Sequence, residues 1–101
     1  MTWMKLCSRE IVSIGKGKEF VINGKRIAVF NIDGDYYATE ALCRHQDGPL
    51  ASGTLKGVIV ECPWHFWHYN VKTGELLDYL NGVKLDKYSI EVRDNDVYID
   101  V

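Results

Sequence analysis

Paired turn residues between runs of β-forming residues are the feature that most constrains how this chain folds. An Asn-Gly pair at 23–24 and an Asp-Gly pair at 33–34 each separate two such runs. Asn-Gly and Asp-Gly suit the two-residue turns of β-hairpins, because these turns need residues that tolerate a positive φ. A third polar stretch, at 93–96, lies between KYSIEV and VYIDV, whose apolar residues alternate with polar ones. We therefore expect an all-β fold of short antiparallel strands, in a sandwich or a small barrel.

The remaining segments add little regular structure to this expectation. The segment 57–63, GVIVECP, starts with a short apolar run that is typical of a buried strand. Helical periodicity is weak, so we expect at most one turn near residues 8–11. A length of 101 residues predicts one domain, over residues 1–101.

Composition excludes several classes of partner. The net charge is −2, from 12 basic and 14 acidic residues, and no Lys/Arg run is available to neutralise a nucleic-acid backbone. No apolar run approaches the roughly 18 residues of a membrane span, and the N-terminus lacks the apolar segment of a signal peptide. We therefore expect a soluble cytoplasmic protein with no membrane partner.

The cysteines favour a metal site over a disulfide framework. There are three of them, Cys7, Cys43 and Cys62, and an odd number in a cytosol-like chain argues against paired disulfides. Two belong to Gly/Pro-rich loops that also carry a histidine: Cys43 with His45, and Cys62 with His65. Two thiols and two imidazoles form a four-ligand set that either zinc or iron could use.

The spacing of these pairs favours iron. Structural zinc prefers cysteines paired two to four residues apart, whereas here each loop supplies one Cys and one His. A two-iron, two-sulfide cluster fits better, with two thiolates on one iron and two imidazoles on the other. A zinc-stabilised β interaction module remains the alternative.

The pattern C-x-H, sixteen residues, then C-x-x-H resembles the signature of Rieske iron–sulfur proteins. Leu50, Gly53, the CPWH form of the second loop and the Thr-Gly pair at 73–74 agree with that family, so the resemblance covers about residues 43–74. It implies an antiparallel β base that carries a cluster-binding subdomain of two loops. It also implies one [2Fe-2S] cluster, held by Cys43 and Cys62 on the inner iron and by His45 and His65 on the outer iron.

The same resemblance implies a function. It predicts a soluble one-electron carrier of the ferredoxin type, not itself an enzyme, that accepts an electron from a flavin-dependent reductase. The acceptor would be an oxygenase or another redox enzyme. An alternative is the Rieske-like small subunit of a larger reductase, such as assimilatory nitrite reductase. A complete Rieske oxygenase is excluded, because 101 residues leave no room for a catalytic domain.

Charge explains what these ligands do to the cluster. Two ferric ions, two sulfides and two thiolates sum to zero, whereas four thiolates would give minus two before any electron is added. Histidine ligation therefore raises the reduction potential, to roughly −150 to +300 mV against about −400 mV for plant-type ferredoxins. Outward-facing imidazoles would also gain proton affinity on reduction, so we expect the potential to fall with pH in the alkaline range.

Neighbouring residues place the potential within that range. Respiratory Rieske proteins carry two further cysteines in a disulfide, and the matching positions here are Gly48 and Trp64. Their serine donor to a bridging sulfide is replaced by Trp67, whereas their tyrosine is retained as Tyr69 and is expected to donate to the sulfur of Cys43. Hydrogen bonds to sulfur stabilise the reduced cluster and so raise the potential. Because this chain lacks the disulfide and the serine and keeps only the tyrosine, we predict a midpoint in the lower half of the range.

Three further expectations concern the second loop. Phe66 occupies a position where the family usually has glycine, which puts the local backbone in question. Its ring, with those of Trp64 and Trp67, is expected to shield the cluster from water, to pack the loop onto the core, or to do both. Pro63 is expected to stiffen the loop and to remove a backbone donor.

Two residues are expected to stay outside the ligand set. His68 lies outside the motif and is predicted to be an exposed or loosely hydrogen-bonded strand residue. Cys7 is predicted to be an inert thiol near an N-terminal strand.

Overall fold

A computed structural model of the chain describes residues 2–44, 47–64 and 66–101. Over these ranges, short strands alternate with tight turns, and two 3₁₀ turns occupy Arg9–Ile11 and Leu50–Ser52. The strands are β1 (Trp3–Ser8), β2 (Lys16–Ile22), β3 (Lys25–Ile32), β4 (Asp35–Glu40), β5 (Thr54–Lys56), β6 (Ile59–Glu61), β7 (His68–Asn70), β8 (Lys87–Tyr88), β9 (Ile90–Arg93) and β10 (Asp96–Asp100).

The strands form antiparallel sheets, which confirms the all-β class. One sheet has the order β1-β10-β9, a second has β2-β3-β4-β8, and a third has β5-β6-β7. The first two pack on each other and form the base of the molecule. The third is inserted between β4 and β8, and it carries the two loops that the sequence singled out.

The predicted hairpin turns are present. At 23–24 and at 33–34 both turn residues have positive φ, 50° and 76° in the first turn and 54° and 93° in the second. These values fit the two-residue turns that match the twist of the strands. The third hairpin pairs Arg93 with Asp96 across a two-residue turn. The 3₁₀ turn at Arg9–Ile11 agrees with the weak helical signal in that segment.

Strand β3 joins two hydrophobic cores, because successive side chains of a strand point to opposite faces. Ile27 and Val29 belong to the core between the first two sheets, whereas Ala28 and Phe30 belong to the core beneath the third sheet. All four side chains are fully buried. The third sheet and its loops therefore pack against the same strand that forms part of the base.

One segment differs from the simplest interpretation of the sequence. KYSIEV reads as one strand, but the structure divides it at Ser89 into β8 and β9. β8 pairs with β4 in the second sheet, and β9 pairs with β10 in the first. The chain changes sheets here, which a pattern of alternating residues does not encode.

Candidate metal centre

Cys43 lies in the first loop, shortly after β4. Its N–H donates to the carbonyl of Gly48 (2.9 Å), and its own carbonyl accepts from the N–H of Asp47 (2.9 Å). The loop thus closes on itself around this cysteine. The side chain is 1% exposed, so the thiol points into the core beneath the third sheet.

Cys62 lies in the second loop, directly after β6. Its N–H donates to the carbonyl of Trp67 (2.7 Å), so the loop closes between β6 and β7. Phe66 has a φ of +59°, in the left-handed region that favours glycine. The local backbone therefore keeps the conformation that a glycine would adopt freely, although a bulky residue occupies the position.

The two loops bring their thiols together. Cys62 is fully buried, and it belongs to the same hydrophobic core as Cys43. Burial, with a smaller contribution from Cys43, raises the pKa of the Cys62 thiol to about 11. The thiol is therefore neutral near pH 7 without metal, and metal ligation releases its proton.

Gly48 provides space at this junction. A Cβ at this position would lie 2.6 Å from the sulfur of Cys62 and 3.2 Å from the Cβ of Trp64. The backbone of the first loop therefore lies directly against the second loop. This position matches one of the disulfide cysteines of respiratory Rieske proteins, and here only glycine fits beside the sulfur of Cys62.

Tyr69 lies beneath the two loops, on β7. Its hydroxyl oxygen accepts the N–H of Arg44 (3.1 Å) and lies 3.3 Å from the sulfur of Cys43. Because burial raises the pKa of Tyr69 above its ordinary value, the hydroxyl keeps its proton. The hydroxyl and the thiol are within hydrogen-bond distance, and either group can be the donor. If Cys43 is a thiolate it can only accept, and the hydroxyl of Tyr69 is then the donor, as predicted for this tyrosine.

His45 and His65, the two predicted imidazole ligands, lie outside the described residues. Across the ranges that are described, no group of three or more His, Cys, Asp and Glu side chains is arranged to hold a metal. Cys43 and Cys62 nevertheless fit half of a cluster site, as two adjacent buried thiols with a hydroxyl donor beside one of them. A [2Fe-2S] cluster is consistent with this donor set.

An ion-pair network outside the motif holds the first loop to the second sheet. The guanidinium of Arg44 lies 2.7 Å from the carboxylate of Glu40 and 3.8 Å from that of Asp86. The same Glu40 oxygen accepts the N–H of Asp86 (2.8 Å). Sequence reasoning missed this network, because Asp86 lies 46 residues from Glu40 along the chain.

The aromatic residues of the second loop differ from one another in burial. Trp64 is 50% exposed and Phe66 is 60% exposed, so neither ring is fully packed into the loop, and shielding of the cluster by these rings stays a prediction. Trp67 is half-buried and stacks on Tyr79, with ring centroids 5.6 Å apart. Pro63 is exposed in the turn that follows Cys62.

A second segment contributes to this surface, and sequence reasoning missed it. Residues 77–80 bond to β7 through the N–H of Leu77 and the carbonyl of His68 (2.8 Å). They extend the exposed surface of the second loop. We call the exposed apolar side chains of the two segments the apolar face: Trp64, Phe66, Leu77, Tyr79 and Leu80.

His68 lies on β7, as predicted, but it is not loosely bound. Its Nδ1 lies 2.6 Å from the carboxylate of Asp78, and its Nε2 lies 3.1 Å from that of Glu61. Asp78, the stronger influence, and Glu61 together raise its pKa. Cys7 is partly buried on β1, and burial raises the pKa of its thiol, which disfavours the reactive thiolate.

Comparisons with known proteins agree with this arrangement. The Rieske [2Fe-2S] domain family matches residues 2–89. The biphenyl dioxygenase ferredoxin subunit of Pseudomonas sp. (strain KKS102) is 33% identical, over 99% of this chain and 93% of that protein.

Solved structures extend the match to the whole fold. A carbazole 1,9a-dioxygenase structure, a complex of reduced oxygenase and oxidized ferredoxin, contains a chain 33% identical to this one. That match has a TM-score of 0.87 and covers 96% of this chain and 91% of the other. A ferredoxin of Sphingomonas yanoikuyae B1 is 28% identical, with a TM-score of 0.88 and 99% of both chains covered. No helix among the described residues is long and apolar enough to span a membrane.

Proposed function

This chain belongs to the Rieske [2Fe-2S] domain family and is an electron carrier with one such cluster rather than an enzyme; we propose that two thiolates and two imidazoles hold the cluster, and that the protein passes single electrons from a flavin-dependent reductase to an oxygenase. The proposed ligands are Cys43, His45, Cys62 and His65. The observation that carries this assignment is the meeting of the Cys43 and Cys62 thiols, fully buried, at the junction of the two loops.

Each neighbouring residue has a defined part in holding the group. When bound, the cluster supplies a centre that gains and loses one electron. Cys43 and Cys62 would bind as thiolates after losing their protons. The hydroxyl of Tyr69 would then donate a hydrogen bond to the sulfur of Cys43. Because that hydrogen bond strengthens as the sulfur becomes more negative, Tyr69 stabilises the reduced state. The backbone hydrogen bonds that close each loop hold the two cysteines in place.

The apolar face supports the proposal of protein partners. It includes Trp64 and Phe66 of the second loop, which directly precede and follow the proposed ligand His65 in the sequence. Both rings are exposed to solvent. Exposed apolar patches mark interaction sites, and aromatic residues dominate the binding energy of many interfaces. Docking there would bring a redox partner against the loops that hold the cluster. The partner chemistry that fits is a complementary apolar recess on the reductase or the oxygenase.

The wider organisation belongs to the same proposal. We assign residues 1–101 to one Rieske domain, with about 43–74 as its cluster-binding subdomain. The third sheet and both loops fall within that range, which supports the boundary. We propose a cytoplasmic location, where a flavin-dependent reductase would be available.

Electron paramagnetic resonance of the dithionite-reduced, reconstituted protein tests the ligand set. We expect the signal of a His-ligated two-iron cluster, with one electron taken up per chain. Replacing any of the four proposed ligands by alanine should abolish it. Cys7→Ser is the matched control, because Cys7 is a partly buried thiol on β1, and it should keep the full signal. A colourless protein that binds zinc, or a signal that survives Cys62→Ala, would refute the assignment.

The partner assignment needs a separate measurement. The reductase and oxygenase components of the biphenyl dioxygenase system can be supplied with this protein in place of their own ferredoxin. Turnover that depends on this protein supports the role of carrier. Purification from its native host as a stable complex with a large reductase subunit would instead support the small-subunit alternative.

A further inference from the structure

His68 is the only histidine of the chain in the described residues, and it lies outside the proposed ligand set. It is the first residue of β7 and lies opposite Glu61 of β6. Its side chain reaches neither cysteine. Instead it lies between two carboxylates from different parts of the chain, Asp78 and Glu61.

The contact with Asp78 has two parts. One carboxylate oxygen accepts the backbone N–H of His68 (3.1 Å), and the other lies 2.6 Å from Nδ1 of the ring. Asp78 is therefore bound by both the backbone and the side chain of one residue. The adjacent hydrogen bond, from the N–H of Leu77 to the carbonyl of His68, ties the same segment a second time.

The other ring nitrogen completes a bridge to the cluster loop. Nε2 lies 3.1 Å from the carboxylate of Glu61, the residue directly before Cys62. His68 thus connects the end of β6 with residues 77–80. These residues include Tyr79, which stacks on Trp67 at 5.6 Å. Three of the five residues of the apolar face, Leu77, Tyr79 and Leu80, belong to this segment.

We propose that His68 is a positioning residue: in its protonated form it fixes residues 77–80 against the second loop and so sets the shape of the face that docks redox partners. This inference rests on the docking role proposed above. Ionised carboxylates only accept hydrogen bonds, so both ring nitrogens must carry a proton to donate to Asp78 and Glu61. When the ring loses a proton, one nitrogen faces a carboxylate without a hydrogen between them, and the bridge weakens.

Other charges around the ring modify this effect without replacing it. Asp78 faces the ring from the 77–80 segment, Glu61 from β6, and Lys56 of β5 lines the same small cavity beside Glu61 and His68. The two carboxylates favour the imidazolium, and the lysine opposes it. The ring is partly exposed, with 38% of its side chain accessible, so its protonation follows the pH of the solution.

Hydrogen exchange of residues 76–82 in the cluster-loaded protein tests the proposal. In His68→Gln we expect exchange about fivefold faster than in the wild type at about pH 6, because two charge-assisted contacts are lost. The ratio of variant to wild type should fall towards one as pH rises towards about 10, when the wild-type ring has also lost its proton. Taking the ratio at each pH removes the intrinsic pH dependence of exchange.

A second variant and a matched control sharpen the result. Asp78→Asn keeps an acceptor for the backbone N–H but removes the charge, so its exchange ratio should follow the same pH curve at a smaller amplitude. Glu19→Gln removes the exposed Glu19–Arg26 ion pair of the base and should leave residues 76–82 unchanged. If His68→Gln fails to fold, Asp78→Asn alone decides.

The outcomes separate this proposal from the proposed function. A ratio of one at every pH, or a ratio above one that does not change with pH, would overturn the positioning role of the imidazolium. Electron paramagnetic resonance of the same samples reports the cluster independently. If the wild-type protein gives no such signal, that result counts against the proposed function, whatever the exchange data show.

Discussion

Replacing Tyr69 by phenylalanine removes one oxygen atom from a fully buried ring beside the proposed cluster ligands. That oxygen lies 3.3 Å from the sulfur of Cys43 and accepts the N–H of Arg44 at 3.1 Å. The ring itself fills the core on β7 and remains in the variant. The change therefore removes a hydrogen bond to the sulfur and leaves the packing nearly intact. We expect Tyr69→Phe to bind the cluster and to have a lower midpoint potential.

The size of the shift follows from the energy of one hydrogen bond. Hydrogen bonds to charged groups contribute about 1.5–3 kcal/mol, and part of this is present in both oxidation states. We take the difference between the reduced and oxidised states as about 1 kcal/mol. For a one-electron couple a tenfold change in equilibrium, about 1.4 kcal/mol, corresponds to 59 mV. The midpoint of Tyr69→Phe should therefore lie about 40 mV below that of the wild type.

Potentiometric titration, followed by visible absorbance, measures both midpoints. Tyr36→Phe is the matched control, since Tyr36 is also a buried tyrosine, and its hydroxyl donates to the carbonyl of Arg9 (2.8 Å) in the base. It should leave the midpoint unchanged. A fully loaded Tyr69→Phe protein with the wild-type midpoint, or a higher one, would refute the argument that Tyr69 donates to the ligand sulfur.

Further expectations follow from steric space, backbone strain and titration. Gly48→Ala would place a Cβ 2.6 Å from the sulfur of Cys62, so iron and sulfide content after reconstitution should fall below half that of the wild type. Gly74→Ala combines a φ of +83° with a Cβ 2.5 Å from the carbonyl of Leu85, and should lower stability by about 2–3 kcal/mol, which thermal unfolding at a fixed scan rate would detect. Because the folded-state pKa of His68 is raised, its stabilising contribution is complete below the unfolded value of about 6.5 and is lost as pH rises through the folded value. The difference in thermal midpoint between wild type and His68→Gln should therefore shrink with rising pH, and a difference that grows would contradict it. The midpoint potential should fall with pH in the alkaline range, and a flat midpoint there would argue against imidazole ligands that face solvent.

Local sequence signals were sufficient for most of the base. The pairs at 23–24 and 33–34 predict hairpins because residues that tolerate positive φ are needed in both positions of the turn. The division of KYSIEV between two sheets was not predictable, because alternation is the same whichever neighbour a strand pairs with. The three-residue strands β5 and β7 are too short to show a period.

At the candidate site, spacing indicates the chemistry but not the surroundings. The C-x-H and C-x-x-H pairs predict the ligand types. Phe66 in a glycine position put the local backbone in question, and its φ of +59° shows that the backbone keeps a glycine-like conformation. The partners of His68 were missed, since Asp78 lies ten residues away on a segment without a motif. The exposure of Trp64 was left open, because an aromatic residue in a sequence carries no sign of which way its ring faces.

The sequence by itself determined the class of fold and the family, and it predicted the donor atoms for a two-iron cluster, because turn chemistry and ligand spacing are local properties of the chain. Only the tertiary structure decided that Cys43 and Cys62 meet above Tyr69, and that His68 ties residues 77–80 to the second loop. Such contacts depend on how three sheets pack against one another. That packing is set by the shape of both cores together, and no short segment contains it.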